Sequence, residues 1–170
     1  MGTKFKLPVE LDVPFFYPEG IVQWEDPVSL KVFQDTPFIY EARFYTGRSA
    51  IQPWENPEEV TPLLLQEWGT LKTSLTELFN SRDGVAIRLP MKRAIAFYIE
   101  FLHWTNGVPV RFPLNFITLK SKPVNCQERL DFIISRPALY HSFIQLSELF
   151  TEQEKRFVKN IALKNRMKKV

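Results

Sequence analysis

The sequence predicts an all-α protein: an irregular bundle of about five to six helices preceded by an extended N-terminal arm. From residue 56 onward, helix-capping patterns recur and apolar residues repeat at spacings of three and four, as on one face of an α-helix. Eight of the thirteen prolines lie within the first 62 residues, where they disfavour helices. No pair of segments alternates between polar and apolar residues as two paired strands would.

The arm spans residues 1–36 and is rich in both proline and aromatic residues, as in "LPVELDVPFFYPEG". Proline lacks a backbone N–H donor and blocks helix interiors, so this segment is expected to be extended and to turn often. Its aromatic side chains should pack on a single helical domain formed by residues 37–170, because each has a large apolar surface. These aromatic residues are Phe15, Phe16, Tyr17 and Trp24.

Two helices are predicted before residue 82. A short one runs from about residue 37 to 45, and a longer one begins at "NPEE", where Asn56 occupies the N-cap and Pro57 the first helical position. Pro62 either restarts or kinks this second helix. Its apolar stripe consists of Leu64, Trp68, Leu71, Leu75 and Leu78.

The third helix is predicted to begin at Pro90 and to end before the Asn-Gly pair at 106 and 107. Its polar residues occupy a sector only about 100° wide, which is typical of a central helix covered on most sides. Glu100 and His103 lie one turn apart in that sector. A carboxylate beside an imidazole can act in general base catalysis. The pair is interpreted as an exposed ion pair, with an enzyme site near Glu100 and His103 as the alternative.

Three helices are predicted after residue 124. The first has a capping box formed by Asn125 and Glu128 and ends at about residue 135. The second begins at Pro137. The last begins at a second capping box, formed by Thr151 and Glu154.

The corner between two of these helices, residues 136–148, is the predicted binding surface, together with the aromatic arm. Arg136 could join the free N–H groups of the following helix in holding an anion, or it could stabilise the C-terminus of the preceding helix. On the following helix, His141 and Gln145 lie opposite the predicted core residue Phe143. The residues predicted to bind an anion or a partner are Arg136, Tyr140, His141 and Gln145.

The last helix carries most of the positive charge. The net charge is +3, yet residues 151–170 contain seven basic side chains against two acidic ones, so the preceding residues are net negative. Phe157, Val158 and Ile161 form the predicted core side of this helix. On another face, four basic residues align at helical spacing, and such a stripe attracts the phosphates of nucleic acids. They are Lys155, Lys159, Arg166 and Lys169.

Composition disfavours several kinds of site and location. The single cysteine, Cys126, excludes an internal disulfide, and the two histidines are too few to complete a structural zinc site with it. Because Walker, dinucleotide-binding and HExxH motifs are missing, no cofactor or metal is expected. No apolar run approaches the roughly 20 residues of a membrane span and no secretory signal is visible, so a cytoplasmic location is expected.

The segments "HWTNGVPV" and "KPVNCQERLDFIISRPALYHSFIQLSELFTEQEK" resemble the YpoC-like family, small uncharacterised proteins of Bacillus and related bacteria. The similarity covers roughly residues 90–165. The resemblance implies a cytoplasmic bacterial protein with a helical fold and without an established activity. The family supplies no catalytic residues to transfer to this chain.

Together these features predict a non-enzymatic helical module that binds another protein, or a second copy of itself. The chain contains 15 Phe, 5 Tyr and 4 Trp, more aromatic side chains than its core is expected to absorb, which favours an apolar contact surface. Nucleic-acid binding through the basic C-terminal helix is the first alternative, and an enzyme near Glu100 and His103 is the second.

Overall fold

A computed structural model describes residues 2–30, 35–48 and 51–169 of the chain. The described part is predominantly helical, which confirms the all-α prediction. Residues 31–34 of the predicted arm, and residues 49–50, lie outside the described ranges. The elements are β1 (Thr3–Lys6), β2 (Ile21–Trp24), α1 (Ile39–Tyr45), α2 (Pro57–Ser81), α3 (Gly84–Trp104), α4 (Cys126–Ser135) and α5 (Tyr140–Lys168).

The arm contains a small antiparallel sheet of β1 and β2, which the sequence did not predict. Each strand has four residues, too few for alternation to be recognised. Phe5 stacks on Trp24 with ring centroids 3.9 Å apart, and this pair helps to hold the strands together.

An aromatic cluster fastens the arm to the helices. The ring centroid of Phe16 lies 4.9 Å from that of Phe38, which is just before α1. It lies 5.9 Å from that of Phe112, which is in the connection after α3. Phe38 and Phe112 are themselves 5.4 Å apart. Because Phe16 and Phe38 are buried, the arm contributes to the main core.

The helices α2 and α3 pack against each other after a two-residue connection. Arg82 has a left-handed backbone with φ 57°, and Asp83 caps α3 by accepting a hydrogen bond from the Ala86 amide at 3.1 Å. The predicted start at Pro90 is therefore wrong: the Asp83 cap begins the helix earlier, and Pro90 lies within it. Pro62 likewise lies within a continuous α2, although each proline removes one helical hydrogen bond.

The third helix is the central one, as predicted. Every residue from Ala94 to Trp104 is buried. Glu100 and His103 are among these buried residues, so the prediction that their side chains are exposed is wrong.

The helix α5 is a single helix of 29 residues, so two predicted boundaries are wrong. It begins at Tyr140 rather than Pro137, and it continues through Thr151, where a new helix was predicted. Neither Gly nor Pro interrupts residues 140–168, and the Thr151 hydroxyl donates to the Ser147 carbonyl within the helix rather than capping a new one. At the middle of α5, Phe150 stacks on Trp68 at 4.2 Å and joins this helix to the core.

Among the described residues, every helix is too short or too polar to span a lipid bilayer.

Candidate partner-binding surface

The loop between α4 and α5 is held in place by its own backbone. Arg136 is the C-cap of α4, and its amide donates to the Phe132 carbonyl at 3.1 Å. The Arg136 carbonyl accepts from the Ser142 hydroxyl at 2.6 Å and from the Leu139 amide at 3.3 Å. These bonds fix residues 136–139 against the start of α5.

A concavity of about 680 Å³, the corner cavity, lies beside this loop. Three separate parts of the chain line it: Phe15 from the arm, one face of α3, and the loop itself. The α3 residues are Arg88, Leu89 and Lys92, and the loop contributes Arg136 and Leu139. The predicted corner and the predicted aromatic arm thus meet in one cavity.

The lining of the corner cavity combines apolar walls with cations. Arg88, Lys92 and Arg136 are its charged residues, and none of its lining residues is acidic. The Lys92 ammonium lies 5.9 Å from the centroid of the Phe15 ring, within range of a cation–π interaction. Within the described part of the chain, these three cations form no ion pair.

A second concavity of about 540 Å³ lies on the other side of Ala138 and Leu139, which line both. Phe79, Arg82 and Tyr140 line this second cavity. The two cavities and the side chains between them form what we call the corner surface.

Large apolar side chains on the corner surface are open to water. Leu89 is 74% exposed, Tyr140 59% and Leu139 42%; Val85, which lines neither cavity, is 84% exposed. Val85 and Leu89 lie one turn apart on α3, with Arg88 and Lys92 on the same side of the helix. The result is an apolar ridge bordered by positive charge.

The four residues predicted at the corner separate into two groups. Arg136 and Tyr140 belong to the corner surface. Gln145 instead accepts a hydrogen bond from Arg129 at 3.0 Å, which links α5 to α4. His141 is exposed, and its ring centroid lies 5.7 Å from that of Phe132. The structure therefore does not bring all four side chains into one site.

Glu100 and His103 do not form the predicted ion pair. His103 Nδ1 lies 2.7 Å from the Ile99 carbonyl, and the backbone amide of Phe38 hydrogen-bonds to the Glu100 carboxyl. Each residue is 3% exposed, and Phe38, immediately before α1, packs against α3 at Glu100. Burial lowers the pKa of His103 to about 4 and raises the pKa of Glu100 well above its usual range.

A second buried carboxyl, Glu41 of α1, was missed by the sequence reasoning. Its Oε2 atom accepts hydrogen bonds from Trp104 Nε1 at 2.9 Å and from the Val110 amide at 3.1 Å. Burial raises its pKa to about 7, although both donors oppose this change. The negative charge of Glu41 also helps to raise the pKa of Glu100, so the two carboxyls interact.

Glu41 and Glu100 belong to the packing between α1, α3 and the arm. Oε1 of Glu41 has no hydrogen-bond partner among the described residues. Neither carboxyl lines the corner cavity. No cluster of three or more His, Cys, Asp or Glu residues suited to a metal ion occurs within the described ranges.

Of the predicted basic stripe, Lys155, Lys159 and Arg166 lie on α5, and Lys169 is its C-cap. Lys155, Lys159, Arg166 and Lys169 are all exposed. Of the predicted core side of this segment, Phe157 is buried and Ile161 half-buried, whereas Val158 is 60% exposed, so its predicted burial is wrong. From Val158 to the end of α5, every described residue except the half-buried Ile161 is exposed.

The fold and the corner surface define a protein of helices packed around one buried central helix, and its sequence resembles uncharacterised bacterial proteins. A family model described as "YpoC-like protein" matches residues 58–165. The chain is 36% identical over 138 residues to "Uncharacterized protein YpoC" of Bacillus subtilis (strain 168), which covers 78% of this chain and 82% of that protein. No solved structure matches the chain. The chain therefore belongs to the YpoC-like family, which confirms the resemblance seen in the sequence.

The corner-cavity residues contributed by the arm and by α3 were not among the predicted site residues; they are Phe15, Arg88, Leu89 and Lys92. Phe15 was recognised only as part of the arm. Arg88 and Leu89 precede the predicted helix start at Pro90, so their position on a face of α3 was hidden. A signal was present in "DG" at 83 and 84, because an Asp followed by helix-compatible residues is a common N-cap.

Proposed function

We propose that this chain is a non-enzymatic helical module that binds another protein through the corner surface. The supporting observation is the exposure of Leu89, Leu139 and Tyr140 around two adjoining cavities. Apolar side chains clustered at a concave surface mark binding sites, because covering them removes apolar area from water. The partner is another protein of the bacterial cytoplasm or a second copy of this chain.

The scaffold beneath the corner surface is well suited to binding. The two helices that present it are held by the Asp83 cap and by the bonds around Arg136. A surface already fixed in its bound shape loses little conformational entropy on association. A binding role therefore requires no rearrangement of the described residues.

Photo-crosslinking in the native bacterium tests this proposal. A photoreactive amino acid replaces Leu89 in one strain and Ile117 in the control strain; Ile117 is 92% exposed on the 3₁₀ turn between α3 and α4 and lines neither cavity. A protein crosslinked from position 89 but not from 117 is identified, purified and titrated with this chain. The combined change Leu89→Ser and Leu139→Ser should weaken that binding by about tenfold or more, because it removes apolar contacts from the centre of the interface.

The matched control is Ile117→Ser, which should leave the affinity unchanged. A crosslinked second copy of the chain would identify the protein as its own partner. The proposal is rejected if position 89 gives no crosslink above position 117, or if the purified partner binds the double variant as well as the wild type.

Nucleic-acid binding through α5 is a second candidate function, supported by one specific observation. The unbroken helix places Lys155, Lys159 and Arg166 on one exposed face over about 17 Å, at 1.5 Å per residue, and Lys169 follows at its C-cap. A stripe of this length can follow several phosphates along a backbone.

Charge reversal tests the second candidate. The triple variant Lys155→Glu, Lys159→Glu and Arg166→Glu should abolish binding to a labelled duplex, and wild-type affinity should fall steeply with salt. The control triple variant Lys4→Glu, Lys6→Glu and Lys120→Glu has the same net charge and changes only exposed lysines elsewhere. Equal losses in the two triple variants, or affinity independent of salt, would exclude a specific role for α5.

A further inference from the structure

We infer that the partner segment recognised by the corner surface is acidic, with carboxylates flanking a large apolar side chain. This inference rests on the proposed function, since it specifies the chemistry of the protein bound at the same surface. It follows from three features: unneutralised cations, apolar walls and concave shape.

The cations of the corner surface differ from the three arginines that form ion pairs among the described residues. Arg43 pairs with Asp26 at 2.8 Å, Arg93 with Asp35 at 3.4 Å, and Arg129 with Glu152 at 3.0 Å. By contrast, the four cations around the two cavities have no acidic partner within the described residues. These four are Arg82, Arg88, Lys92 and Arg136. A group of like charges left without counter-charges favours an anionic ligand.

The positive charge is local to this surface. Without residues 151–170 the chain is net negative, so the cations do not reflect a generally basic protein. On α3, no acidic residue occurs between Asp83 and the buried Glu100. The first turn of α5 also contains no acidic residue and has no side-chain cap, so its N–H groups add to the positive field.

The apolar walls require more than a charged ligand. Leu89, Pro137, Ala138 and Leu139 form one side of the corner cavity, and Phe15 forms another. Its volume of about 680 Å³ is ample for a Phe or Leu side chain. A small inorganic anion would leave these walls in water, whereas an acidic peptide with an apolar anchor would satisfy both walls and cations.

Concavity favours a peptide over an anionic membrane. A flat bilayer surface could contact the exposed Val85 and Leu89 but would leave unfilled the open concavity lined by the arm, α3 and the loop. A protruding side chain of a partner protein can fill it. An anionic membrane is therefore the competing ligand that the experiment below distinguishes.

Fluorescence polarisation with defined peptides tests the inference on the full chain. The probe is a fluorescein-labelled peptide in which Glu residues flank a central Phe-Leu pair. In two comparison peptides, Gln replaces every Glu, or Ser replaces the Phe-Leu pair. We expect the first peptide to bind about tenfold or more tightly than either comparison peptide, since each of these lacks one of the two kinds of contact.

Variants then locate the binding. The triple variant Arg88→Gln, Lys92→Gln and Arg136→Gln should weaken binding of the acidic peptide by about tenfold or more and reduce its salt dependence. The control Lys4→Gln, Lys6→Gln and Lys120→Gln loses the same charge at exposed positions elsewhere and should bind as the wild type does. Circular dichroism confirms that each variant is folded.

The inference fails if the neutral peptide binds as tightly as the acidic one, or if both triple variants lose affinity equally. It also fails if phosphatidylglycerol vesicles bind in an Arg88-, Lys92- and Arg136-dependent manner while the acidic peptide does not bind. A crosslinked partner whose affinity depends on Leu89 but not on these three cations would leave the proposed function intact and overturn only this inference.

Discussion

At the scale of single residues, the buried carboxyl of Glu41 is the feature with the largest expected effect of pH. Its pKa in the folded protein is raised from 4.5 to about 7 by burial. The folded state therefore holds the proton more tightly than the unfolded state does. The stability linked to this proton is present below pH 4.5 and is lost as the pH rises through 7.

We predict that the Glu41→Gln variant gains stability, relative to the wild type, when the pH is raised from 5 to 8. Gln is neutral at every pH, and its carbonyl oxygen still accepts from Trp104 and Val110. The free energy of unfolding of the variant minus that of the wild type should increase by up to about 3 kcal/mol between the two pH values, at 1.36 kcal/mol per pKa unit. Urea unfolding at pH 5 and pH 8 measures the difference.

The control for this prediction is the exposed Glu154→Gln, which should show no such increase. His103 does not interfere, since it is present in both proteins; its lowered pKa makes stability fall in both as the pH drops from 6.5 towards 4. A difference between Glu41→Gln and the wild type that stays constant with pH would show that Glu41 is not held in the neutral form.

At the scale of secondary-structure elements, the long connection between α3 and α4 is tied to α5 by polar side chains. Gln153 of α5 is fully buried, and its Nε2 atom donates to Thr105 Oγ1 at 2.9 Å and to the Ser121 carbonyl at 3.1 Å. Asn106 closes the same loop, accepting from the Ser121 amide at 2.9 Å. The connection is thereby held although it contains only one turn of 3₁₀ helix among its described residues.

We predict that Gln153→Met destabilises the fold by about 1–3 kcal/mol, because it removes two buried hydrogen bonds and leaves the Thr105 hydroxyl with fewer partners. The measurement is the urea midpoint at constant m-value. Gln127→Met, an exposed change of the same type on α4, serves as the control and should cost little. Similar losses in both variants would contradict a specific role for the Gln153 bonds.

The elements were predictable from sequence where a single helix determines its own pattern. The apolar stripe of α2 and the central position of α3 both follow from spacing. The boundary at Thr151 failed because a local capping pattern cannot reveal that Phe150 packs on Trp68 and keeps α5 continuous. Likewise, a helical wheel for α3 shows a polar sector at Glu100 but not the segment before α1 that covers it.

The candidate site was predictable only in part for the same reason. Arg136 and Tyr140 were recognisable because the corner is contiguous in sequence. The rest of the cavity joins Phe15 to residues more than seventy positions later, and single-sequence patterns contain no information on that pairing.

At the scale of the whole molecule, the N-terminal arm is an integral part of the core. Phe16 is 5% exposed and contacts Phe38 and Phe112, whereas its neighbour Phe15 is half-buried at the edge of the corner cavity. These adjacent residues provide a matched pair for testing how strongly the arm is attached.

We predict that Phe16→Ala destabilises the protein by about 3–5 kcal/mol, the usual cost of removing a buried aromatic ring, and that Phe15→Ala costs less than half as much. Urea unfolding followed by tryptophan fluorescence measures both. If Phe16→Ala costs no more than Phe15→Ala, the arm is not part of the cooperative unit. Phe15→Ala also provides a folded protein in which one wall of the corner cavity has been removed.

The family match at residues 58–165 begins after the segment that shields Glu100. A shortened chain limited to those residues would lack Phe16, Phe38 and Glu41, and we expect it to open a water-filled trench along α3. The Glu100 carboxylate would then be exposed in that trench one helical turn from the His103 imidazole, an artificial arrangement that resembles the active site of a hydrolase. Any activity found in such a fragment would come from two side chains that are buried in the described structure of the longer chain.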